Sequence, residues 1–594
     1  MPIPTDSWVQ IGAASTPVFS KDGTRLFHLR GAGLPQVWVM DLDGGNARQL
    51  SQHDEKVGLL RRSPSDDRLI WSIDAGGDEL HQLWILEPGG VPRALTTNAA
   101  VMHNFGGFSP DGTRIAYSAN DRDPQFFDAV VMDLASGGMV RLHHGPCVIS
   151  VAAWSPDGSR LAVIEDHGGI DHRVMLITVA SGAAHEVPRG RPTRYQGLRW
   201  TAAGVLMAIT DAPDADFLQL CAIDEASGAA TPVFAPLFRE VEAWSLAPDG
   251  KTLATIENDR GYATLRVGAM GTNRAAVTGL PEGIVAELAW LADSSALACA
   301  AQGPADPVSL FMVQDGAATA LAVPDALAPA GLSPEMLVAP GLIEWVSFDG
   351  ARIPAFYALP KTPAPVGGYP AIMWIHGGPS SQTRANFRAD TQMLLDQGFA
   401  VLLPNMRGST GYGRAYMEAD ELGDRAHYVE DMASGRAWLA AQPEINAERI
   451  GVMGQSYGGW AVNAAIAFQP ELWKAAVNYY GLSDFATFYR NTSAYRRDHR
   501  AREYGFPGIH DDVIEQLSPI RHVDRVVTPT LFLHGDRDPR VPMSESDAMV
   551  AAMAERQKKV KYEKFTYAGH GFIRPDHRRR VYAEVAAYFH EHMK

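Results

Sequence analysis

Residues 449–460 read RIGVMGQSYGGW, an apolar run that ends in one serine set among glycines. A serine exposed on a sharp strand-to-helix turn needs neighbours without side chains two positions away, because the two backbones cross closely there. In a chain with 56 glycines the G-x-S-x-G pattern alone is a weak signal, so its surroundings decide the reading. WAVNAAIAFQ (460–469) follows with helical composition, which supplies the strand–turn–helix order that the turn requires.

Outward from this stretch, AIMWI (371–375), FAVLLP (399–404), AAVNYY (475–480) and TLFLH (530–534) are further compact apolar strands, separated by helical stretches such as YVEDMASGRAWLAAQ (428–442). Such alternation predicts a mostly parallel sheet with helices on both faces, whose chemistry gathers beyond the carboxyl ends of the strands. Three loops at those ends carry reactive groups: HGGPSS (376–381), HGDRDPRVP (534–542) after TLFLH, and AGHGF (568–572) after YEKFTY. With Ser456 they give the order Ser, Asp, His of an α/β-hydrolase.

A serine hydroxyl is a poor nucleophile at neutral pH and needs a base within hydrogen-bond reach. Among 19 histidines His570 is the candidate; His590 and His592 fall on a polar terminal helix and His534 orders its own loop. The carboxylate that fixes the imidazole is Asp538 or Asp536, with Asp538 favoured and the other left to cap the turn. Oxyanion donors are expected from the backbone N–H of Tyr457, next to the serine, and from that of Gly378 in HGGP. No H-E-x-x-H, C-x-x-C or G-x-x-x-x-G-K-[S/T] occurs, so neither a metal nor a cofactor is expected.

The first half repeats itself. FSPDGTRIAYSAND (108–121), WSPDGSRLAVIED (154–166) and LAPDGKTLATIEN (246–258) share one theme, with weaker copies at 19–30, 62–74, 200–211 and 290–301. Anchored on Asp22, Asp66, Asp111, Asp157, Ala203, Asp249 and Asp293, the units fall 44 to 46 residues apart. Each adds a second hairpin about twenty residues later, giving the four strands of one propeller blade. The expectation is an N-terminal seven-bladed β-propeller over 1–330, its repeats confined to about 10–325, followed by a C-terminal α/β-hydrolase domain over 331–594. A linear β-solenoid is the competing arrangement for the repeats.

Bulk composition narrows the function. A net charge of −16 argues against nucleic acid, and the one basic run, RPDHRRR (574–580), reads as a coated surface helix. Cys147, Cys221 and Cys299 are too far apart in sequence for a disulfide framework and suit a reducing compartment. Neither a secretory leader nor a run of membrane-spanning length is visible, so a cytoplasmic enzyme without membrane attachment is expected.

NMRGSTGYG (405–413), GQSYGGW (454–460), SPI (518–520), HGDRDPRVP and GHG together resemble the prolyl oligopeptidase family of serine peptidases. The resemblance is specific over 340–594 and architectural over the propeller. It implies Ser456 as nucleophile, Asp538 as acid and His570 as base. Arg540 would touch a substrate carbonyl, against a plain salt bridge within its loop. It also implies an apolar pocket near Trp460, Phe485, Phe488 and Val541, residues that could equally be ordinary core. HGGP points to the acylaminoacyl-peptidase-like branch. Dipeptidyl peptidases of the family hold the substrate amine with adjacent glutamates; no Glu-Glu occurs here, Glu240 and Glu242 alternate along a strand, and Asp166 or Asp214 remain as lone acids. With the first blade starting near residue 20, the family's N-terminal helix is expected to be missing, leaving subunit number open, a homo-oligomer included.

The favoured function is thus a serine peptidase for short peptides, an acylaminoacyl peptidase or oligopeptidase, with the propeller restricting access. A dipeptidyl aminopeptidase, and a small-molecule amidase or esterase with the same triad, are the alternatives. A propeller that grips a partner beside an inactive hydrolase is a third, disfavoured by the intact motif set.

Overall fold

The repeated turn has a local cause. In the computed structural model, which describes residues 2–593, Asp111 Oδ1 accepts from the Ser109 hydroxyl at 2.6 Å, the Thr113 N–H at 3.0 Å and the Thr113 hydroxyl at 2.9 Å. Asp22 and Asp157 bind Ser20 and Thr24, and Ser155 and Ser159, in the same way. These bonds, the serine hydroxyl first, hold all three carboxyls down to about 2. The glycine after each aspartate takes φ near +70°, a left-handed position that closes the hairpin at no steric cost.

Seven four-stranded antiparallel sheets result, covering 13–49, 57–94, 103–143, 148–186, 195–232, 240–276 and 284–320. One sheet cannot bury both faces, so each packs on its neighbours. Phe27 and Val39 of blade one meet Leu60 and Trp71 of blade two, and equivalent seams follow around the series. The last seam sets Ala298, Ala300 and Leu310 of blade seven against Phe19, Leu26 and Met40 of blade one. The repeats therefore form a closed ring, a seven-bladed β-propeller and not a linear solenoid. Each blade is built from four consecutive strands, so this seam is closed by side-chain packing without exchange of a strand.

The second unit is one eight-stranded sheet: β1 (Gly341–Val346), β2 (Arg352–Ala358), β3 (Tyr369–Ile375), β4 (Ala400–Pro404), β5 (Ile445–Gln455), β6 (Ala476–Tyr479), β7 (Thr530–Gly535) and β8 (Val560–Phe565). The order is β1-β2-β4-β3-β5-β6-β7-β8; β1 and β2 are antiparallel to their neighbours and the remainder run parallel. Alternate side chains feed two cores: Met373, Val452 and Phe532 face one layer, Ile372, Met453 and Leu531 the other. This is an α/β-hydrolase domain.

Among the described residues ahead of the first blade, Ser7–Val9 form a 3-10 turn. Trp8 is fully buried and belongs to the hydrolase core beside Leu327, Tyr582 and Phe589. The ring and the carboxyl ends of the parallel strands meet around a rim. Tyr567 donates its hydroxyl to Glu55 at 2.6 Å, the Ala415 N–H reaches Asp216 at 2.8 Å, and Arg384 pairs with Glu242 at 2.7 Å. The loops that carry Ser456, Asp538 and His570 thus lie between the two units.

Because Leu26 is fully buried in this closing seam, beside the Thr16–Glu287 hydrogen bond at 2.8 Å, Leu26→Ala is expected to destabilise the propeller by about 3 kcal/mol. Urea unfolding followed by tryptophan fluorescence measures it; an effect near zero would mean that this seam does not hold the ring shut.

Candidate active site

β5 ends at Gln455 and the helix Tyr457–Phe468 begins two residues later, so Ser456 alone makes the turn, with φ +58° and ψ −118°. A non-glycine residue held there is strained and must be fixed by its surroundings. The Ser456 N–H donates to Tyr479 O at 3.0 Å. A Cβ on Gly454 would lie 2.2 Å from Gly458 O, one on Gly458 would lie 2.3 Å from Ile375 O, and one on Gly459 would lie 2.5 Å from Gly481 Cα. The glycines are there so that the helix can leave the sheet against two other backbones. Ser456 itself is half-exposed.

His570 follows β8 and Asp538 follows β7. His570 Nδ1 stands 2.7 Å from Asp538 Oδ2, while Asp538 Oδ1 accepts the N–H groups of Arg540 and Val541, each at 2.9 Å. Burial pushes the Asp538 carboxyl up, but the charge of His570 and hydrogen bonds from His534 and His570 outweigh it and hold the group well below the usual carboxylate range. Asp536 Oδ1 instead accepts the Ala568 N–H at 3.3 Å, tying together the loops after β7 and β8. His534, fully buried, donates from Nε2 to Val541 O at 2.9 Å and hydrogen-bonds Ser546 Oγ through Nδ1 at 2.8 Å, bracing the Asp538 loop. The Tyr480 ring packs 4.6 Å from that of His570. In this conformation no hydrogen bond joins Ser456 Oγ to the imidazole among the described residues; such bonds commonly tighten only with substrate.

Gly378 reaches the serine from the loop after β3. A Cβ on its neighbour Gly377 would meet Ser456 Cβ at 3.2 Å. His376 Nδ1 lies 2.6 Å from Gly377 O and Nε2 3.0 Å from Ser409 Oγ. Burial brings His376 down to about 4, so at neutral pH it is an uncharged brace for this loop. The Tyr457 N–H opens its helix, where no intrahelical acceptor exists, and is available to a ligand.

A small pocket of about 60 Å³ beside Ser456 is lined by Gly378, Leu482, Phe488, Arg496, Arg500, Tyr504, Arg540 and Val541. Phe488 and Val541 are where the sequence puts them, on the pocket wall. Trp460 and Phe485 are corrected: neither lines it. The Trp460 indole is fully buried, donates to Leu517 O at 3.1 Å and stacks on Tyr457. Phe485 stacks 4.9 Å behind Tyr504, so both sit one aromatic layer back. The buried Arg425 guanidinium, 4.6 Å from the Tyr504 ring and hydrogen-bonded to the Tyr457 hydroxyl, fixes that layer.

Arg540 both lines the pocket and pairs with Glu79 of the propeller. Glu79 is held at φ +60° by its N–H bond to Asp74. Of the propeller acids Glu79, Glu240, Glu242, Asp166 and Asp214, it is the one paired with a residue of the pocket; on the hydrolase side Glu503 pairs with Arg500 at 2.8 Å. Glu242 is taken by Arg384, and Glu240 is buried and pushed up to about 6 by that burial. Asp214 is exposed beside Arg191, and Asp166 is engaged by the Gly168 and Gly169 N–H groups and by His499. Glu79, Arg496, Arg500 and Tyr504 escaped the sequence reading, having no motif of their own.

With this geometry in hand, residues 385–594 match the model of the prolyl oligopeptidase family. The chain is 26% identical over 573 residues to dipeptidyl aminopeptidase BIII of Pseudoxanthomonas mexicana, spanning 92% of this chain and 81% of that one. It is 30% identical over 238 residues to the acylamino-acid-releasing enzyme of Homo sapiens, 38% of this chain and 32% of that one. Among solved structures it is similar to a Mycobacterium tuberculosis puromycin-hydrolyzing peptidase, with TM-score 0.86 and 22% identity over 100% of this chain and 96% of that one. It is also similar to the Pyrococcus horikoshii acylaminoacyl peptidase, with TM-score 0.77 and 17% identity over 100% and 98%. At these identities the structural matches establish the fold.

The elbow's tolerance is directly testable. Gly458→Ala would drive a methyl group into the Ile375 carbonyl, and is expected to lower thermal stability by several degrees and to suppress hydrolysis of any substrate. Unchanged melting and turnover would show that the turn is not held by this contact.

Proposed function

Since residues 385–594 belong to the prolyl oligopeptidase family and the chain is a serine-type peptidase, we propose that it hydrolyses short peptides through an acyl-enzyme formed on Ser456. The observation that carries this reading is the 2.7 Å pairing of Asp538 with His570, on a loop beside a serine held at φ +58°. Ser456 Oγ attacks the scissile carbonyl and gives its proton to His570 Nε2. Asp538 holds Nδ1–H and stabilises the imidazolium. Charge on the carbonyl oxygen is met by the N–H groups of Tyr457 and Gly378. His570 returns the proton to the leaving amine, and a water repeats the sequence in reverse to free the acid. The ring over the site admits short chains, excludes folded proteins and limits water.

The finer question is which end of the substrate is read. Sequence alone favours the acylaminoacyl branch. Glu79, beside Arg540 at the edge of the pocket, favours release of dipeptides from a free amino terminus: an ammonium replaces part of the Arg540 pairing, whereas an acyl cap brings an uncharged group to a carboxylate and is disfavoured. The dipeptidyl aminopeptidase named above, aligned over 92% of this chain, supports the same choice. Arg540 is then the contact for the peptide carbonyl near that terminus. An amidase or esterase activity would use the same triad. A cytoplasmic location is part of this reading, on the ground that the three cysteines are buried and unpaired; among the described residues no helix is long and apolar enough to cross a membrane.

A chromogenic panel separates these readings. Ser456→Ala is expected to lose at least about ten-thousand-fold in kcat on every substrate. Free-amine dipeptidyl anilides should be cleaved faster than their acetylated counterparts. Glu79→Gln should raise KM for the free-amine set by roughly tenfold, the worth of one charge-assisted contact, and should not raise it for acetylated substrates. Equal or better cleavage of acetylated anilides by the wild type overturns the free-amine reading, and turnover of esters alone overturns the peptidase reading.

A further inference from the structure

A second cluster of reactive side chains lies outside the triad. A cavity of about 300 Å³ opens between blades three and four and the hydrolase segment 494–500; Cys147 and His167 line one side, Tyr495 and Arg496 the other. Arg496 and Arg500 also line the pocket beside Ser456, so the cavity adjoins the catalytic site. In its wall Cys147 Sγ, a carboxylate oxygen of Glu165 and a ring nitrogen of His167 all lie within 4.8 Å of one another.

The cluster is built, not incidental. Glu165 closes the second strand of blade four and pairs in register with Ile149, two residues after Cys147. The Cys147 carbonyl is fixed by the Phe127 N–H at 3.2 Å. The Glu165 carboxylate is held on both oxygens, at 2.7 Å by His143 Nε2 and at 3.0 Å by His167 Nε2. A thiol, an imidazole and a carboxylate converging from three positions form a donor set for a borderline-soft cation. Calcium or magnesium would ask for oxygens throughout.

We propose that Cys147, Glu165 and His167 form a three-ligand site for a divalent cation of the zinc class in the wall of the interdomain cavity. Tetrahedral zinc with sulfur at about 2.3 Å and nitrogen and oxygen at about 2.0–2.2 Å requires donor atoms roughly 3–4 Å apart, a small contraction of the present cluster. Binding replaces the Cys147 thiol proton with the metal and releases one proton to solvent. His167 carries its proton on Nδ1 so that Nε2 faces the ion. Glu165 turns one oxygen to the metal and keeps the other on His143, which acts as the outer hydrogen-bond partner. The fourth position faces the cavity and takes a water. Neither C-x-x-C nor H-E-x-x-H is needed, since positions 147, 165 and 167 are brought together by the pairing of the first two strands of blade four. The site stands independently of the peptidase reading.

Cobalt(II) titration of the full chain tests it, because a cobalt–thiolate bond gives a charge-transfer absorption that nitrogen and oxygen ligands do not. One cobalt per chain should produce the band, with one proton released, and zinc should displace it. Cys147→Ser should abolish the band. His167→Gln, at a partly exposed position, should weaken binding by at least roughly tenfold and carries the test if the buried serine variant fails to fold. His570→Ala should leave the band unchanged. A wild-type protein with no thiolate band at saturating cobalt, or His167→Gln binding as tightly as wild type, overturns the proposal.

Discussion

The structure depends on one close approach of backbones. The helix after β5 can leave the sheet only because Gly454, Gly458 and Gly459 let it pass within contact distance of itself, of the β3 carbonyl at Ile375 and of Gly481. That crossing forces Ser456 into a left-handed conformation and lifts its hydroxyl clear of the sheet. Everything else at the site is arranged around a point fixed this way. The loop after β3 is braced by an uncharged buried His376, and the loop after β7 by the fully buried His534.

The two units divide the work by their physics. Parallel strands buried on both faces give a rigid sheet whose loop ends hold reacting groups to fractions of an ångström. The propeller contributes little to that geometry, yet supplies Glu79 and the far wall of the cavity, where blade seams expose polar residues toward the hydrolase. Its ring is closed by packing between blades one and seven without a shared strand. Such a seam rests on apolar contact and the Thr16–Glu287 hydrogen bonds, and is the natural place for the ring to loosen if substrate entry requires it.

Much of this was legible in the sequence, for reasons that differ by element. The seven repeats are readable because each needs the same aspartate–glycine turn, and the turn imposes its residues. The catalytic loops are readable because each follows an apolar strand, so strand ends mark the face where chemistry gathers. The choice between Asp538 and Asp536 is not local: it rests on which carboxylate meets a ring 32 residues later, and Asp536 is occupied by the Ala568 N–H. Trp460 misleads because a large apolar residue four positions after the serine is one helical turn away, yet its helix turns that face into the core. Glu79 and Tyr504 carry no spacing signal, since they reach the site only when the units meet or distant loops converge, and the Cys147–Glu165–His167 cluster forms only through the register of the first two strands of blade four.

The central claim is that a single hydroxyl, at position 456, is made nucleophilic by the imidazole at 570 through the carboxylate at 538. A fluorophosphonate that modifies activated serines, followed by peptide mass spectrometry, tests it without any assumption about substrate. The account predicts one adduct per chain, on Ser456, forming far more slowly in His570→Ala and Asp538→Asn. An adduct on another residue, or one that forms on Ser456 at an undiminished rate without His570, would contradict it.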